Sequence, residues 1–175
     1  METWLYENNK ENTVRYVLGT KGSRPLICFG INPSTAEPGK LDNTLKSVER
    51  LAANNGYDSW IMLNIYPQRA TDPGNLHQEK DKMIHENNLA AINRLFGKYK
   101  DLQVWAAWGN NILRRPFLKD CLKDIYLATK VHGIDWVRIG NLSKAGHPRH
   151  PLYVKADTPL ETFNMQGYFL ESENL

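Results

Sequence analysis

Apolar and polar positions divide the chain into alternating strands and helices. Thr13-Val-Arg-Tyr-Val-Leu18 alternates and stops at Gly19 and Gly22, which predicts an edge strand or hairpin over 13–22. Pro25-Leu-Ile-Cys-Phe-Gly-Ile31 is almost continuously apolar, the pattern of a strand covered on both faces. Asp42 or Asn43 can cap a helix that carries Leu45, Val48, Leu51 and Ala52 inward and stops at Asn55-Gly56. Trp60–Ile65 is a second covered strand. Residues 80–99 again show helical spacing, with Ile84, Asn88, Ala91, Leu95 and Phe96 near one face. Leu102–Trp108 predicts a third strand, and a helix follows through Ile112, Leu113, Phe117 and Leu118, kinked or divided at Arg115-Pro116. Ile134–Ile139 is the fourth. A polar loop over 140–150 and a short Pro151–Val154 segment come after it.

Covered strands joined by crossovers too long for hairpins predict a three-layer α/β/α fold with a central, mostly parallel four-stranded sheet. No repeat or composition break divides the 175 residues, so a single domain over 1–175 is expected, with a peripheral C-terminal segment from 155. The 41% hydrophobic and 23% charged content is that of a folded chain. Cys28 sits in an apolar run far from Cys121, which points to reduced thiols rather than a disulfide framework. No apolar stretch reaches membrane-spanning length and no basic-then-apolar leader opens the chain, so a cytoplasmic location is expected. The net charge of +3 is compatible with a phosphate-bearing partner without requiring one.

The residues that carry chemistry sit just past the strands. Asn32-Pro33-Ser34-Thr35 follows the first covered strand, and Asn64 ends the second, before Tyr66-Pro67-Gln68-Arg69. Trp108-Gly109-Asn110-Asn111 follows the third, and Asn141, Ser143, Lys144, His147 and His150 follow the fourth. In parallel α/β proteins those ends converge on one side, where binding crevices form. Asn32 can be a turn residue or a ligand contact. An amide at Asn64 must be satisfied by a base edge or by neighbouring loop backbone, since burying it unpaired costs about 1–3 kcal/mol. Trp108 and Tyr66 can frame a flat ring, and Ser34 lies beside them in the expected pocket. Arg69, Lys144, Arg149 and His150 can meet phosphate or be ordinary surface groups. Two histidines in His147-Pro-Arg-His-Pro151 lack the further ligands a metal needs, so no metal and no cofactor are expected. Phosphate-loop, dinucleotide and nucleophile-elbow motifs do not occur.

Gly30-Ile-Asn-Pro-Ser-Thr-Ala36, Asn64 with Arg69-Ala-Thr-Asp-Pro73, Glu86-Asn87, Ala106-Ala-Trp-Gly109 and Gly146-His-Pro-Arg-His-Pro-Leu-Tyr153 together resemble a bacterial and phage family, domain of unknown function family 1643. The resemblance spans about 15–153. The same blocks are remotely similar to the uracil-DNA glycosylase superfamily. That similarity implies a four-stranded parallel sheet and three roles: Asn32 positions the attacking water, Asn64 reads the base, and His147 stabilises the leaving base anion. The sequence departs from that pattern in having Ser34 where a glycine usually follows the proline. It also has His147-Pro-Arg-His-Pro in place of His-Pro-Ser-Pro, and it has no cysteine set for an iron–sulfur cluster. The expected function is therefore a metal-independent, nucleobase-directed N-glycosidic hydrolase acting on DNA or a nucleotide. The alternative is a non-catalytic module that binds a nucleotide, modified base or DNA. Neither reading requires a membrane or an obligate protein partner.

Overall fold

The four covered strands expected from the sequence form, and three further strands extend them into one larger sheet. The computed structural model describes residues 3–173. Its strands are β1 (Trp4–Asn8), β2 (Arg15–Thr20), β3 (Pro25–Gly30), β4 (Ser59–Asn64), β5 (Gln103–Ala106), β6 (Asp135–Ile139) and β7 (Leu160–Thr162), in the spatial order β1-β2-β4-β3-β5-β6-β7. Neighbours β4–β3, β3–β5 and β5–β6 pair in parallel, whereas β1–β2, β2–β4 and β6–β7 pair antiparallel. The expected four-stranded, mostly parallel sheet is thus corrected to a seven-stranded mixed one.

Helices cover both faces. α1 (Asn43–Asn54) lays Leu45, Val48, Leu51 and Ala52 over Leu26, Cys28, Trp60, Met62 and Trp105. α2 (Lys82–Phe96) and α3 (Phe117–Thr129) cover the opposite face, where Phe29, Leu63, Val104 and Trp136 are buried. Each of the first two helices begins at an aspartate whose carboxylate accepts from free N–H groups of the first turn, Asp42 from Leu45 and Asp81 from Met83 and Ile84. Pro116 divides the helix expected after β5: a 3₁₀ turn at Gly109–Leu113 precedes it and α3 starts behind it.

Residues before 13 and after 155 add strands that the sequence pattern does not mark, and the expected edge strand or hairpin over 13–22 is the inner arm of a β1–β2 hairpin. β2 is interior, because Trp4–Asn8 pairs outside it; the half-polar sequence of β1 hides a strand whose apolar face is narrow. The chain beyond 155 contributes β7 and α4 (Met165–Glu173), and Phe163, Met165 and Tyr168 are buried against the α2–α3 layer. Three residues of strand carry too short a pattern to be recognised in sequence. Cys28 and Cys121 are buried free thiols, and no described helix is long and apolar enough to cross a membrane.

Gly19 permits the close approach of β2 to β4. A Cβ there would stand 2.4 Å from the Trp60 carbonyl oxygen and 2.8 Å from the Ile61 Cα, both backbone atoms. Gly19→Ala is therefore expected to lose about 1–3 kcal/mol of stability, read as a lower urea midpoint. An unchanged midpoint would show that the two strands can separate without penalty.

Candidate functional site

The loops after β3 and β4 lock onto each other. Ala70 N–H donates to Pro33 O at 2.9 Å, and Asn32 Nδ2 returns a bond to Ala70 O at 2.8 Å. Asn32 Nδ2 also donates to Pro33 O at 3.0 Å. Both amide protons are then held by carbonyls, which fixes the side chain and leaves Oδ1 free to accept. Arg69 clamps the same turn by donating to Ser34 O at 2.5 Å and Ala36 O at 3.3 Å, while its other nitrogen reaches the Tyr6 hydroxyl at 2.8 Å. Ser34 Oγ spans to Thr71 Oγ1 at 3.4 Å.

Beneath this turn lies a cavity of about 430 Å³ at the carboxyl ends of β3 and β4, within the size range of small-molecule sites. Gly30 and Asn32 from the β3 end, Met62 from β4, Asp42 and Asn43 at the start of α1, and Arg15 form much of its wall. His150, Asn111 and Leu152 close the far side and are shared with an adjoining cavity lined also by Trp108, Ser143 and Arg149. The two spaces therefore meet at His150.

His150 is held by its own short turn. Its Nδ1 accepts from Leu152 N–H at 3.2 Å, capping the 3₁₀ turn Pro151–Tyr153. A ring nitrogen that accepts carries no proton, so the remaining proton is on Nε2 and the ring is a neutral donor. Burial lowers the His150 pKa, and nearby Asp42 opposes that shift without cancelling it. Gly109 makes room: it adopts φ +61°, and a Cβ there would lie 3.4 Å from His150 Cβ. His150, expected as a phosphate contact, stands on the cavity wall as a neutral imidazole that can donate through Nε2–H.

His147 is placed elsewhere. Its imidazole is buried, and Nδ1 bonds the Tyr168 hydroxyl at 2.8 Å. That phenol accepts from Trp108 Nε1 at 3.2 Å and stays un-ionised, its pKa raised to about 12 by burial. Desolvation first, and Lys119 second, push His147 below the usual imidazole value. The whole relay belongs to the layer of α2, α3 and α4, where Tyr168 packs. Asn64 shares the opposite face of β4 with Trp60 and Met62, which lie under α1. Of the expected trio Asn32, Asn64 and His147, only Asn32 lines the cavity; Asn64 lies behind Gly30 and Met62, and the histidine on the wall is His150.

Asn64 is 1% exposed. Its Oδ1 receives only a long 3.5 Å bond from Arg15 Nη2, and its Nδ2 has no partner. That amide nitrogen and the Met62 methyl flank the point above Gly30 where a Cβ would stand, at 3.3 and 2.7 Å. The remaining expected residues are divided between the core and the surface. Trp108 is fully buried against Trp136, Phe163 and Tyr168 and touches only the adjoining cavity. Tyr66 is also fully buried; its hydroxyl bonds His77 Nδ1 at 2.7 Å and accepts from Asp81 N–H at 3.0 Å. Lys144 is exposed and lines neither space, whereas exposed Arg149 donates to Asn141 O at 2.8 Å and borders the adjoining cavity.

Arg15 was not expected here. Alternation in Thr13–Leu18 places it on the polar face of a strand, yet it is 1% exposed and lines the cavity. Pro67–Arg69 runs beside it, with Arg15 N–H donating to Pro67 O and Arg69 N–H to Thr13 O, and this covers the side chain. Only that loop pairing marks it, and no local pattern encodes the pairing. Asp42 has a readable cap signal but none for its place on the cavity wall. Among the described residues no cluster of three or more His, Cys, Asp or Glu is placed to hold a metal ion.

These features define an α/β protein with a polar cavity at the carboxyl ends of adjacent parallel strands, walled by an oriented amide, a neutral imidazole and a buried guanidinium. The chain belongs to the family described as protein of unknown function, DUF1643, whose model matches residues 15–152. No curated protein and no solved structure matches it.

Proposed function

We propose that the cavity holds a nucleobase attached to its sugar and that the protein hydrolyses the N-glycosidic bond. The carrying observation is that one cavity is lined both by Asn32, whose held Nδ2 leaves Oδ1 to accept, and by His150, whose accepting Nδ1 leaves Nε2–H to donate. In this reading a uracil-DNA glycosylase-like arrangement is kept, with the histidine role at 150. Water accepted by Asn32 forms a bond from its oxygen to the sugar C1′ while the C1′–N bond breaks. The electron pair leaves on the base, whose oxygen accepts from His150 Nε2–H, and the proton lost by water neutralises the departing base. Neither group transfers a proton by itself, so the acceleration comes from orientation and from a preorganised dipole aimed at developing charge.

Asn64 would read the base edge with its unpartnered Nδ2. Contact requires the Met62 methyl to swing away from Gly30, a motion that an unbranched thioether chain permits. The unsatisfied amide supports such a ligand, since an orphaned buried N–H otherwise costs about 1–3 kcal/mol.

The test is base release from nucleotides and oligonucleotides carrying normal, deaminated and modified bases. Asn32→Ala is expected to retain the fold and to lose about 100-fold in turnover, the scale of a misplaced reactant. Release that is equal in wild type and variant would remove Asn32 from the mechanism. Saturable binding with no release from any substrate would replace the hydrolase with a non-catalytic recognition module.

A further inference from the structure

Arg15 is a buried cation without a carboxylate in contact. It is 1% exposed, lines the cavity, and has no partner at Nε. Its Nη1 donates to Ala36 O at 3.2 Å, the same carbonyl that receives Arg69, so two guanidinium groups converge on one neutral oxygen. Burial and the Arg69 charge lower its pKa to about 10, while Asp42 and Tyr6 act the other way. It still carries its proton at neutral pH. The Asp42 carboxylate accepts from Leu45 N–H at 2.9 Å and forms no ion pair with Arg15. A charge so enclosed is normally paired.

The start of α1 faces the same space. Asn43 and Thr44 line the cavity, and the first bonded N–H groups of the helix are those of Leu45 and Lys46, both satisfied by Asp42. The N–H groups of Asn43 and Thr44 are the orphan donors every helix start leaves, at the end where the peptide dipoles favour negative charge. A buried guanidinium with a free Nε and only neutral oxygens as partners, together with a helix start on the same cavity, makes an anion subsite, with each observation standing without the other.

We infer that this subsite takes the terminal phosphate of a free nucleoside 5′-monophosphate, so that the substrate of the proposed hydrolase is a mononucleotide. The inference rests on the nucleobase reading of the cavity and names its substrate class. A phosphodiester inside a DNA strand has a chain leaving on both sides and stays at the protein surface. A monoester ends the molecule and can be carried inward to a side chain with 1% exposure. Of the exposed cations expected to meet phosphate, Lys144 lines neither cavity and Arg149 borders only the adjoining one.

Equilibrium titration of the full chain separates this inference from the hydrolase reading, because it does not require turnover. The probes are purine and pyrimidine nucleoside 5′-monophosphates, their nucleosides, inorganic phosphate and a single-stranded oligonucleotide. At least one monophosphate is expected to bind about tenfold or more tightly than its nucleoside, and inorganic phosphate is expected to compete with it. Arg15→Met should abolish that preference. Asn43→Pro removes one backbone donor at a position where proline is favoured, and Asp42 already has the extended conformation (φ −77°, ψ 176°) that a following proline requires. It should weaken the monophosphate several-fold and leave the nucleoside unchanged, and it decides the matter if Arg15→Met does not fold. Equal binding of nucleoside and monophosphate, no nucleotide binding, or an oligonucleotide bound more tightly than every monophosphate overturns the subsite. Base release from DNA alone would do the same while sparing the hydrolase. Tight monophosphate binding without base release leaves the subsite standing and removes the hydrolase.

Discussion

A His150→Ala protein is expected to release base about 10²–10³-fold more slowly than wild type at neutral pH, the loss typical of removing one donor from an oxyanion site. The imidazole is positioned by Leu152 N–H on one nitrogen, which commits the other to donation, and it stands at the junction of the two cavities. His147→Ala tests the assignment, because that ring lies behind Tyr168 in the opposite layer. It should unfold at a lower temperature and keep turnover within a few-fold of wild type. A protein that loses activity at 147 and keeps it at 150 would reverse the two roles.

The same site fixes a pH dependence. Both histidines have folded-state pKa values below the ordinary 6.5, so the unfolded chain binds protons more readily than the folded one. Their contribution to stability is complete above the unfolded value and is lost as pH falls through the lowered folded values. Activity should fall in the same direction, since protonating His150 Nδ1 breaks its bond from Leu152. Thermal midpoints and turnover measured from neutral pH downward check this, and a midpoint that rises below pH 6.5 would contradict it.

Trp108→Ala is expected to destabilise the protein by about 3–5 kcal/mol, the range for deleting a buried large aromatic. The indole is wholly enclosed, its ring meets Trp136 and Phe163 at centroid distances of 6.2 and 6.1 Å, and its N–H supports the Tyr168 hydroxyl. Losing it opens a void and unties the contact that seats α4 on the sheet. Urea denaturation would read the change as a lower midpoint at a similar slope. Trp108→Phe fills most of the void and forfeits chiefly the hydrogen bond, worth about 0.5–1.5 kcal/mol. If Trp108→Ala retained full stability and lost only ligand affinity, the ring would be a stacking platform after all.

Trp108 also shows where reading a sequence stops. A tryptophan beside Gly109 at a strand end fits a pocket wall and a core equally well; strand parity decided it, since Trp108 shares a face with Val104 and Ala106 under α2 and α3. His147 and His150 present a similar case. Both follow the same strand and both precede proline, and what separates them is that 150 caps a turn beside Gly109 whereas 147 points at Tyr168. Tyr168 comes from a helix with no clear apolar stripe, joined through a three-residue strand. Nothing near the His-Pro segment in sequence announces that partner.

The local part of the structure is legible in the chain: the covered strands, a cap for α1 at Asp42 or Asn43, the break at Pro116, and the collection of polar residues past the strand ends. Those follow from side-chain periodicity and from backbone groups that seek partners within a few residues. Pairing across the fold sets the rest: that β2 lies inside the sheet, that Pro67–Arg69 runs beside Arg15, and which histidine reaches the cavity. These depend on pairings between segments about fifty or more residues apart in places, and such pairings are set by the whole arrangement of layers rather than by any short run of residues.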